Sequence, residues 1–187
     1  QKRSIEWLLN TQQPELLGVY ELKASAARKN IAIIGPGSSL DYYNSSIINR
    51  HDIIIGVDYI GMVFDCDFVI TDSVHVAIEL QKKYSENKFV LPINLHDKTI
   101  GNITPTTQII PTAVQFELAV RSSIPLSVDP PFCDFENIIL TAIHFALFLE
   151  PVNITVYGCD NKILDGKSHT SKVEYYNDGK LWPDNES

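Results

Sequence analysis

The residues best suited to chemistry begin with a glycine-containing turn that follows the apolar run 31–34. This segment, hereafter the glycine turn, consists of Gly35, Pro36, Gly37, Ser38 and Ser39. Glycine lets a ligand approach the backbone closely, and a serine can cap a following helix whose free N–H groups favour an anion. We therefore predict that residues 30–40 form a strand and a phosphate-facing turn of a nucleotide site. A tight turn without a ligand is the alternative, because the third glycine of the dinucleotide fingerprint and the Gly-Lys-Ser/Thr of a P-loop are both absent.

Three carboxylates stand just past other runs that have the pattern of buried strands. They are Asp58, Asp72 and Asp160, the last of which follows Gly158 and Cys159. Such carboxylates hold ribose hydroxyls or a hard cation that bridges phosphates, or they cap a helix or a turn. Because three acids around one phosphate would repel it, we expect either that Mg²⁺ enters or that some of the acids face away.

His169 is the histidine best placed for catalysis, because it follows the last predicted strand in a polar stretch. Histidine acts as a general base near neutral pH, although a loop histidine is often simply solvated. His75 and His144 fall on predicted helices and are expected to be structural. His51 and His96 lie at loop boundaries and give no functional signal.

The elements that must position these residues alternate between short apolar runs and helical segments. Strands are predicted over residues 31–34, 52–57, 67–71, 88–91 and 153–157. Helices are predicted over residues 39–50, 76–84 and 135–149, the last capped by Asp134. The hydrophobic pattern is irregular from 93 to 131. We expect a strand at 108–110 and a helix at 113–120 there, and we expect this stretch to lie near the rim of the site.

Strands that alternate with helices imply a parallel sheet with right-handed crossovers, whose ligands bind at the carboxyl ends of the strands. We therefore predict an α/β fold: a Rossmann-like, mostly parallel sheet with helices on both faces over residues 30–187, after a short helical segment at 1–29. The chain begins with Gln1 and its only methionine is Met62. We accordingly expect a piece of a longer product, truncated towards its C-terminus.

Composition narrows the classes of partner. The 187 residues carry a net charge of −8, which argues against a nucleic-acid binder. The three cysteines, Cys66, Cys133 and Cys159, have no metal-binding or disulfide-framework spacing, which favours a reducing, cytoplasmic setting. The sequence has no run of about 20 apolar residues and no visible signal peptide, so no transmembrane segment is predicted.

The segment Ile33 to Leu40 resembles the Gly-x-Gly-Pro-Ser-Leu opening of two related groups. One comprises the bacterial CMP-sialic-acid-dependent sialyltransferases of the Rossmann-like type. The other comprises hydroxymethylpterin pyrophosphokinase-like enzymes and motility accessory factors. The stretch 135–160 is similar to the same families in its order of helix, strand and Gly-x-Asp, so the likeness extends from position 30 to position 160.

The resemblance implies a role for each matching residue. The glycine turn would contact the nucleotide phosphates, Asp58 and Asp72 would reach the nucleotide or the sugar, and Asn137 would approach the base or ribose. Gly158 and Asp160 complete the predicted nucleotide site. His169 would match the general base that deprotonates the acceptor hydroxyl in the sialyltransferases.

Several positions differ from the sialyltransferase pattern. Pro36 stands where those enzymes have asparagine, Ser38 replaces a proline, and Asp58 and Asp72 replace asparagines. Glu136-Asn137 stands where Ser-Gly is expected. The two aspartates favour the pyrophosphokinase-like group or a sugar transferase with another donor.

Three functions follow from this comparison. The leading one is a glycosyltransferase of surface-glycan assembly, such as lipopolysaccharide or capsule biosynthesis. It would use a nucleotide-sugar donor and a glycan acceptor. We expect it to act in the cytoplasm or peripherally at the inner membrane, and its sequence is compatible with a homo-oligomer. The second is a Mg²⁺-dependent pyrophosphokinase in which Asp72 and Asp160 hold the metal. The third is a non-catalytic nucleotide- or sugar-binding module of a larger protein.

Overall fold

A computed structural model describes residues 14–97, 101–118, 127–132, 137–160 and 169–172. Within these ranges the strands are β1 (Asn30–Ile34), β2 (Ile53–Val57), β3 (Phe68–Ile70), β4 (Val90–Pro92), β5 (Asn94–Asp97), β6 (Asn102–Pro105), β7 (Val114–Phe116) and β8 (Asn153–Tyr157). The α-helices are α1 (Pro14–Glu21), α2 (Ser45–Ile48), α3 (Ile60–Val63), α4 (Val74–Leu80), α5 (Thr106–Ile109) and α6 (Ile138–Phe148), and 3₁₀ helices cover Ser38–Tyr42 and Glu86–Lys88.

The centre of the fold is a parallel sheet of four strands in the order β3-β2-β1-β8. Ile33 of β1 pairs with Ile55 of β2 on one side and with Val156 of β8 on the other. The parallel pair β4-β7 lies next to β3, to which it is joined by a bridge between Val69 and Phe89. The prediction of a mixed α/β fold with a parallel sheet is confirmed, and the strand order is compatible with a Rossmann-like fold.

Both faces of this sheet are covered. Successive side chains of a strand point to opposite faces, so Ile33 packs in a cluster with Phe145 of α6, whereas Ile34 packs in a second cluster with Leu80 of α4. Burial on both faces explains why the strands read as continuous apolar runs. Because the sheet is fixed by two cores, the carboxyl ends of its strands are held in a defined arrangement.

Two elements in the region of poor pattern differ from prediction. Residues 106–109 form helix α5 where a strand was expected at 108–110, and residues 114–116 form strand β7 where a helix was expected at 113–120. Tertiary contacts decide both. Thr106 is fully buried and its hydroxyl donates to the Pro92 carbonyl, which fixes the start of α5. Val114 pairs in parallel with Val90, which draws its segment into the sheet. Short apolar runs are ambiguous between helix and strand from sequence alone.

Two predicted helices also have different bounds. The crossover at 39–50 divides at Tyr43 and Asn44, whose backbones are extended, and Asn44 caps α2 by accepting from the Ser46 N–H at 2.9 Å. Asn137 has extended backbone and caps α6 by accepting from the Ile139 N–H at 3.0 Å. The expected cap Asp134 lies outside the described residues, and the helix begins at Ile138.

The N-terminal segment 1–29 is described from residue 14 onward, where α1 begins at a proline, a favourable first position in a helix. The residues after α1 are tied to the end of α6 by hydrogen bonds from the N–H groups of Ala24 and Ala26 to the carbonyls of Phe148 and Leu149. Among the described residues, no helix has the length and apolar character needed to cross a membrane.

Candidate functional site at the carboxyl edge of the sheet

The glycine turn meets residues 158–160 because β1 and β8 are adjacent parallel strands. The N–H of Gly35 donates to the Tyr157 carbonyl at 2.8 Å, and the N–H of Gly37 donates to the Gly158 carbonyl at 2.6 Å. The parallel pairing of β1 and β8 thus continues past the strand ends. The glycine turn and residues 158–160, which the sequence singled out separately, are thereby hydrogen-bonded to each other.

Both glycines of the turn are required by this close approach. A Cβ atom at Gly35 would lie 2.6 Å from the carbonyl oxygen of Gly158, and one at Gly37 would lie 2.5 Å from Oδ1 of Asp160. Gly158 has a φ of +59°, which an L side chain rarely adopts. The space left by the missing Cβ atoms is therefore filled by the chain itself.

The carboxylate of Asp160 occupies the position in which the sequence predicts a phosphate. Its Oδ2 accepts from the backbone N–H of Ser39 at 3.2 Å and from the Ser38 hydroxyl at 3.3 Å, and its Oδ1 accepts from the Ser39 hydroxyl. Partial burial opposes ionisation of Asp160, but the hydrogen bonds from the two serines outweigh it and lower the pKa of the carboxyl group. The negative charge at the start of the 3₁₀ helix that follows Gly37 is thus supplied by the Asp160 side chain of the protein itself.

His169 lies beside the glycine turn. It forms an antiparallel bridge with Gly37, and the N–H of Thr170 donates to the Pro36 carbonyl at 2.8 Å. Burial lowers the pKa of His169 below its usual 6.5, which favours the neutral imidazole that can accept a proton. The structure therefore brings together the residues predicted to bind phosphate and the residue predicted to act as base.

Asp41 anchors the segment that carries His169. Its carboxylate accepts from the N–H of Ser171 at 3.0 Å, from the Ser171 hydroxyl at 2.7 Å and from the Thr170 hydroxyl. Lys172 adds a hydrogen bond to the Tyr43 carbonyl at 3.0 Å. Sequence reasoning missed Asp41, because no local pattern relates it to residues 130 positions further along the chain.

Asp58 and Asp72 occupy the same edge further along the sheet. Asp58 has a φ of +53°, and its Oδ1 accepts from the hydroxyl of Thr71 at 2.7 Å, which links the ends of β2 and β3. Asp72 offers its backbone carbonyl to the N–H of His96 at 2.6 Å. Both residues are partly buried and are held by the ends of neighbouring strands.

Asp72 and Asp160 are not brought together. They follow β3 and β8, which are separated by β2 and β1. Three inter-strand spacings place them on the order of 14 Å apart, whereas oxygen ligands of Mg²⁺ lie about 2.1 Å from the ion. The pair therefore does not fit one shared ion. Among the described residues, no cluster of three or more His, Cys, Asp or Glu side chains is arranged to hold a metal.

Asn137 reaches this edge at the start of α6. Its side-chain oxygen caps the helix, and the side chain of Ile139 lies against Gly35, where it would be 2.7 Å from an added Cβ. The start of α6 therefore packs beside the glycine turn, while the side-chain oxygen of Asn137 is engaged in capping the helix, and its expected contact with a base or ribose stays a prediction.

A cleft of about 300 Å³ opens near the carboxyl ends of β4 and β7. We call it the hairpin cleft, because the β5-β6 hairpin forms one wall. It is lined by Pro92, Ile93, Asn94, His96, Ile103, Glu117 and Leu118. None of these residues was singled out from the sequence as functional. Their polar members stand outside any motif and come together only through the pairing of β4 with β7 and of β5 with β6.

Comparison of the chain with protein-family models, with curated proteins and with solved structures finds no match. Any assignment of function therefore depends on the residues and the geometry described above.

Proposed function

We propose that this chain is a Rossmann-like glycosyltransferase that moves a sugar from a nucleotide-activated donor to a hydroxyl of a surface glycan. The observation that carries the proposal is the antiparallel backbone bridge that holds His169 beside Gly37 at the carboxyl edge of the parallel sheet. Ligands of such sheets bind at this edge. The reaction would take place in the cytoplasm or peripherally at the inner membrane, in lipopolysaccharide or capsule synthesis.

In the proposed reaction, His169 accepts the proton of the acceptor hydroxyl while the hydroxyl oxygen attacks the anomeric carbon of the donor. The bond between that carbon and the phosphate oxygen breaks, and the nucleotide leaves with the bonding electron pair. A general base of this kind contributes typically 10²- to 10⁴-fold to the rate. The lowered pKa of His169 supports this role, since the imidazole is then neutral near neutral pH.

Asp160 sets a condition on where the donor binds. Its carboxylate accepts from Ser38 and Ser39, so a nucleotide phosphate at the glycine turn has to compete with it. Asp58 is better placed for a neutral group, because a carboxylate accepts hydrogen bonds from ribose hydroxyls. We therefore propose that the ribose lies toward β2 and that the phosphate displaces Asp160 when the donor binds.

The hydrogen bonds of Asp160 favour a second candidate. Because Asp160 takes the donors of the glycine turn that would stabilise a leaving phosphate, a non-catalytic nucleotide- or sugar-binding module, which needs no leaving-group stabilisation, is the second candidate. The two candidates differ in turnover and not in binding. The Mg²⁺-dependent pyrophosphokinase has less support. Asp72 and Asp160, the two acids expected to hold its metal, follow the two outer strands of the four-stranded sheet.

A thermal-shift screen of nucleotides and sugar nucleotides, with and without Mg²⁺, tests the proposal. A ligand at about 100 times its Kd stabilises the fold by about 2.7 kcal/mol. The transferase predicts a shift with a sugar nucleotide and its turnover in the presence of an acceptor glycan. Binding without turnover selects the binding module, a strict requirement for Mg²⁺ favours the pyrophosphokinase, and no shift with any nucleotide contradicts both enzyme hypotheses.

A further inference from the structure

The hairpin cleft is a preformed feature of the fold. Leu95 of β5 is fully buried in the core, and its neighbours Asn94 and His96 therefore face the opposite side of the strand. His96 pairs with Ile103 in the antiparallel register, so these two side chains are neighbours on the cleft wall. The hydrogen bond from the His96 N–H to the Asp72 carbonyl holds the hairpin against the main sheet.

The opposite wall is fixed by backbone hydrogen bonds. Glu117 and Leu118 follow directly after β7, and the Glu117 carbonyl accepts from the N–H of Phe132 at 2.8 Å. The N–H of Ile93 donates to the Phe116 carbonyl at 3.0 Å, which joins the ends of β4 and β7. These backbone groups are thus used to build the cleft, and Glu117, Asn94 and His96 are the polar residues of its described lining.

These side chains indicate the chemical class of the ligand. A carboxylate accepts hydrogen bonds, whereas a carboxamide and an imidazole both donate and accept. Glu117 is the acidic residue of the described lining, and its carboxylate repels an anion. A hydroxyl group, which donates and accepts at once, matches all three polar side chains.

The size and the apolar walls complete the argument. The cleft volume of about 300 Å³ is at the lower end of the range that is typical of small-molecule sites. Ile103 and Leu118 offer apolar surface to the C–H face of a ring. We infer that the hairpin cleft binds a neutral, hydroxyl-rich ring of the size of one uncharged sugar residue.

This site is distinct from the one around His169. Three inter-strand spacings separate β4 from β1, so the cleft lies on the order of 14 Å from the glycine turn. Binding there does not require the proposed transferase activity. If that activity exists, the cleft is placed to hold an inner residue of a glycan whose terminal hydroxyl reaches His169.

The test is an NMR titration of the isotope-labelled chain with methyl glycosides of glucose, galactose and N-acetylglucosamine, and with N-acetylneuraminic acid as the anionic comparison. We expect at least one neutral glycoside to shift the amide signals of Asn94, His96 and Leu118 and to leave those of Ser39 and Thr170 unchanged. N-acetylneuraminic acid is expected to leave the cleft signals unchanged.

Glu117→Gln and Asn94→Ala should each weaken this binding by about tenfold, whereas Glu79→Gln, a glutamate outside the cleft, should leave it unchanged. Asn94 is exposed, so its substitution tests the inference even if the Glu117 variant does not fold. The inference is wrong if no neutral glycoside shifts the cleft signals, if the anion binds there as tightly as the neutral sugars, or if every variant that folds keeps wild-type affinity.

Discussion

The carboxylate of Asp160 accepts a hydrogen bond from the backbone N–H of Ser39 at 3.2 Å, across the boundary between β8 and β1. This contact gives the glycine turn an internal anion in the place where a ligand phosphate was predicted. It also explains the two glycines, since neither position has room for a Cβ atom beside residues 158–160. The glycine turn is therefore occupied by the protein's own carboxylate, and the proposed nucleotide phosphate can bind there only if Asp160 is displaced.

Asp160→Asn is expected to strengthen nucleotide binding by about fivefold. Two unit charges about 4 Å apart in a water-like dielectric repel each other by about 1 kcal/mol, and the amide removes that charge while preserving the shape of the side chain. The measurement is the Kd of the best nucleotide from the thermal-shift screen. An unchanged Kd would place the phosphate away from the glycine turn.

Gly37→Ala is expected to destabilise the fold by about 2 kcal/mol, which is typical of overpacking a filled site. The added Cβ would lie 2.6 Å from the backbone carbonyl of Gly158 and 2.5 Å from the Asp160 carboxylate. Gly18→Ala is the matched control, because Gly18 lies within α1 and, among the described residues, no atom outside its chain neighbours and its own helix backbone comes within 4 Å of the added Cβ. Alanine there should stabilise the chain by about 0.5 to 1 kcal/mol. Urea unfolding of both variants checks the prediction, and equal effects of the two substitutions would contradict it.

Asp41→Ala is expected to release residues 169–172 from the 3₁₀ helix. The variant loses the hydrogen bonds to Thr170 and Ser171, so His169 becomes more exposed and its pKa rises toward 6.5. NMR titration of the His169 ring measures this directly, and Asp41→Asn should show a smaller rise because an amide oxygen can still accept from the Ser171 N–H. A pKa of His169 that is unchanged in the alanine variant would show that Asp41 does not position it.

Stability is expected to fall as the pH drops below 6.5. Burial lowers the pKa values of His144 and His169, so the unfolded chain binds protons more readily than the folded chain in this range. The stabilising contribution of each neutral histidine is complete above 6.5 and is lost as the pH falls through the lowered folded-state value. His144→Gln should reduce this dependence, since the glutamine amide does not titrate and can donate to the Ser127 carbonyl as His144 does. Urea unfolding across this pH range gives the comparison, and an unaltered slope in the variant would contradict the assignment.

The sheet could be predicted from the sequence because each of its strands is marked by a local run of apolar residues. The runs of isoleucine in β1 and β2 are apolar on both faces, and that pattern is typical of buried parallel strands. The glycine turn and the position of Asp160 past the last strand follow from the same pattern. His169 was singled out through its place after that strand, and the structure adds its antiparallel bridge with Gly37, while its role as a base stays a prediction.

The features that could not be predicted depend on contacts between residues that are far apart in the sequence. Nothing near Ser39 in the sequence shows that Asp160 will accept its N–H, because that contact requires the register of β1 on β8. Likewise, β7 was mistaken for a helix because its pairing with β4 outweighs its local pattern. His96 gave no signal by itself, and it joins Glu117 at a cleft only through the β5-β6 hairpin.

The central claim is that His169 is the base of a sugar transfer. The most direct measurement is the rate of nucleotide release from a panel of sugar nucleotides in the presence of acceptor glycans, for the wild-type chain and for His169→Ala. The account predicts release from at least one donor by the wild type and a fall of about 10²-fold or more in the variant, with donor affinity retained. Full activity of His169→Ala, or no release from any donor by the wild type, would contradict it.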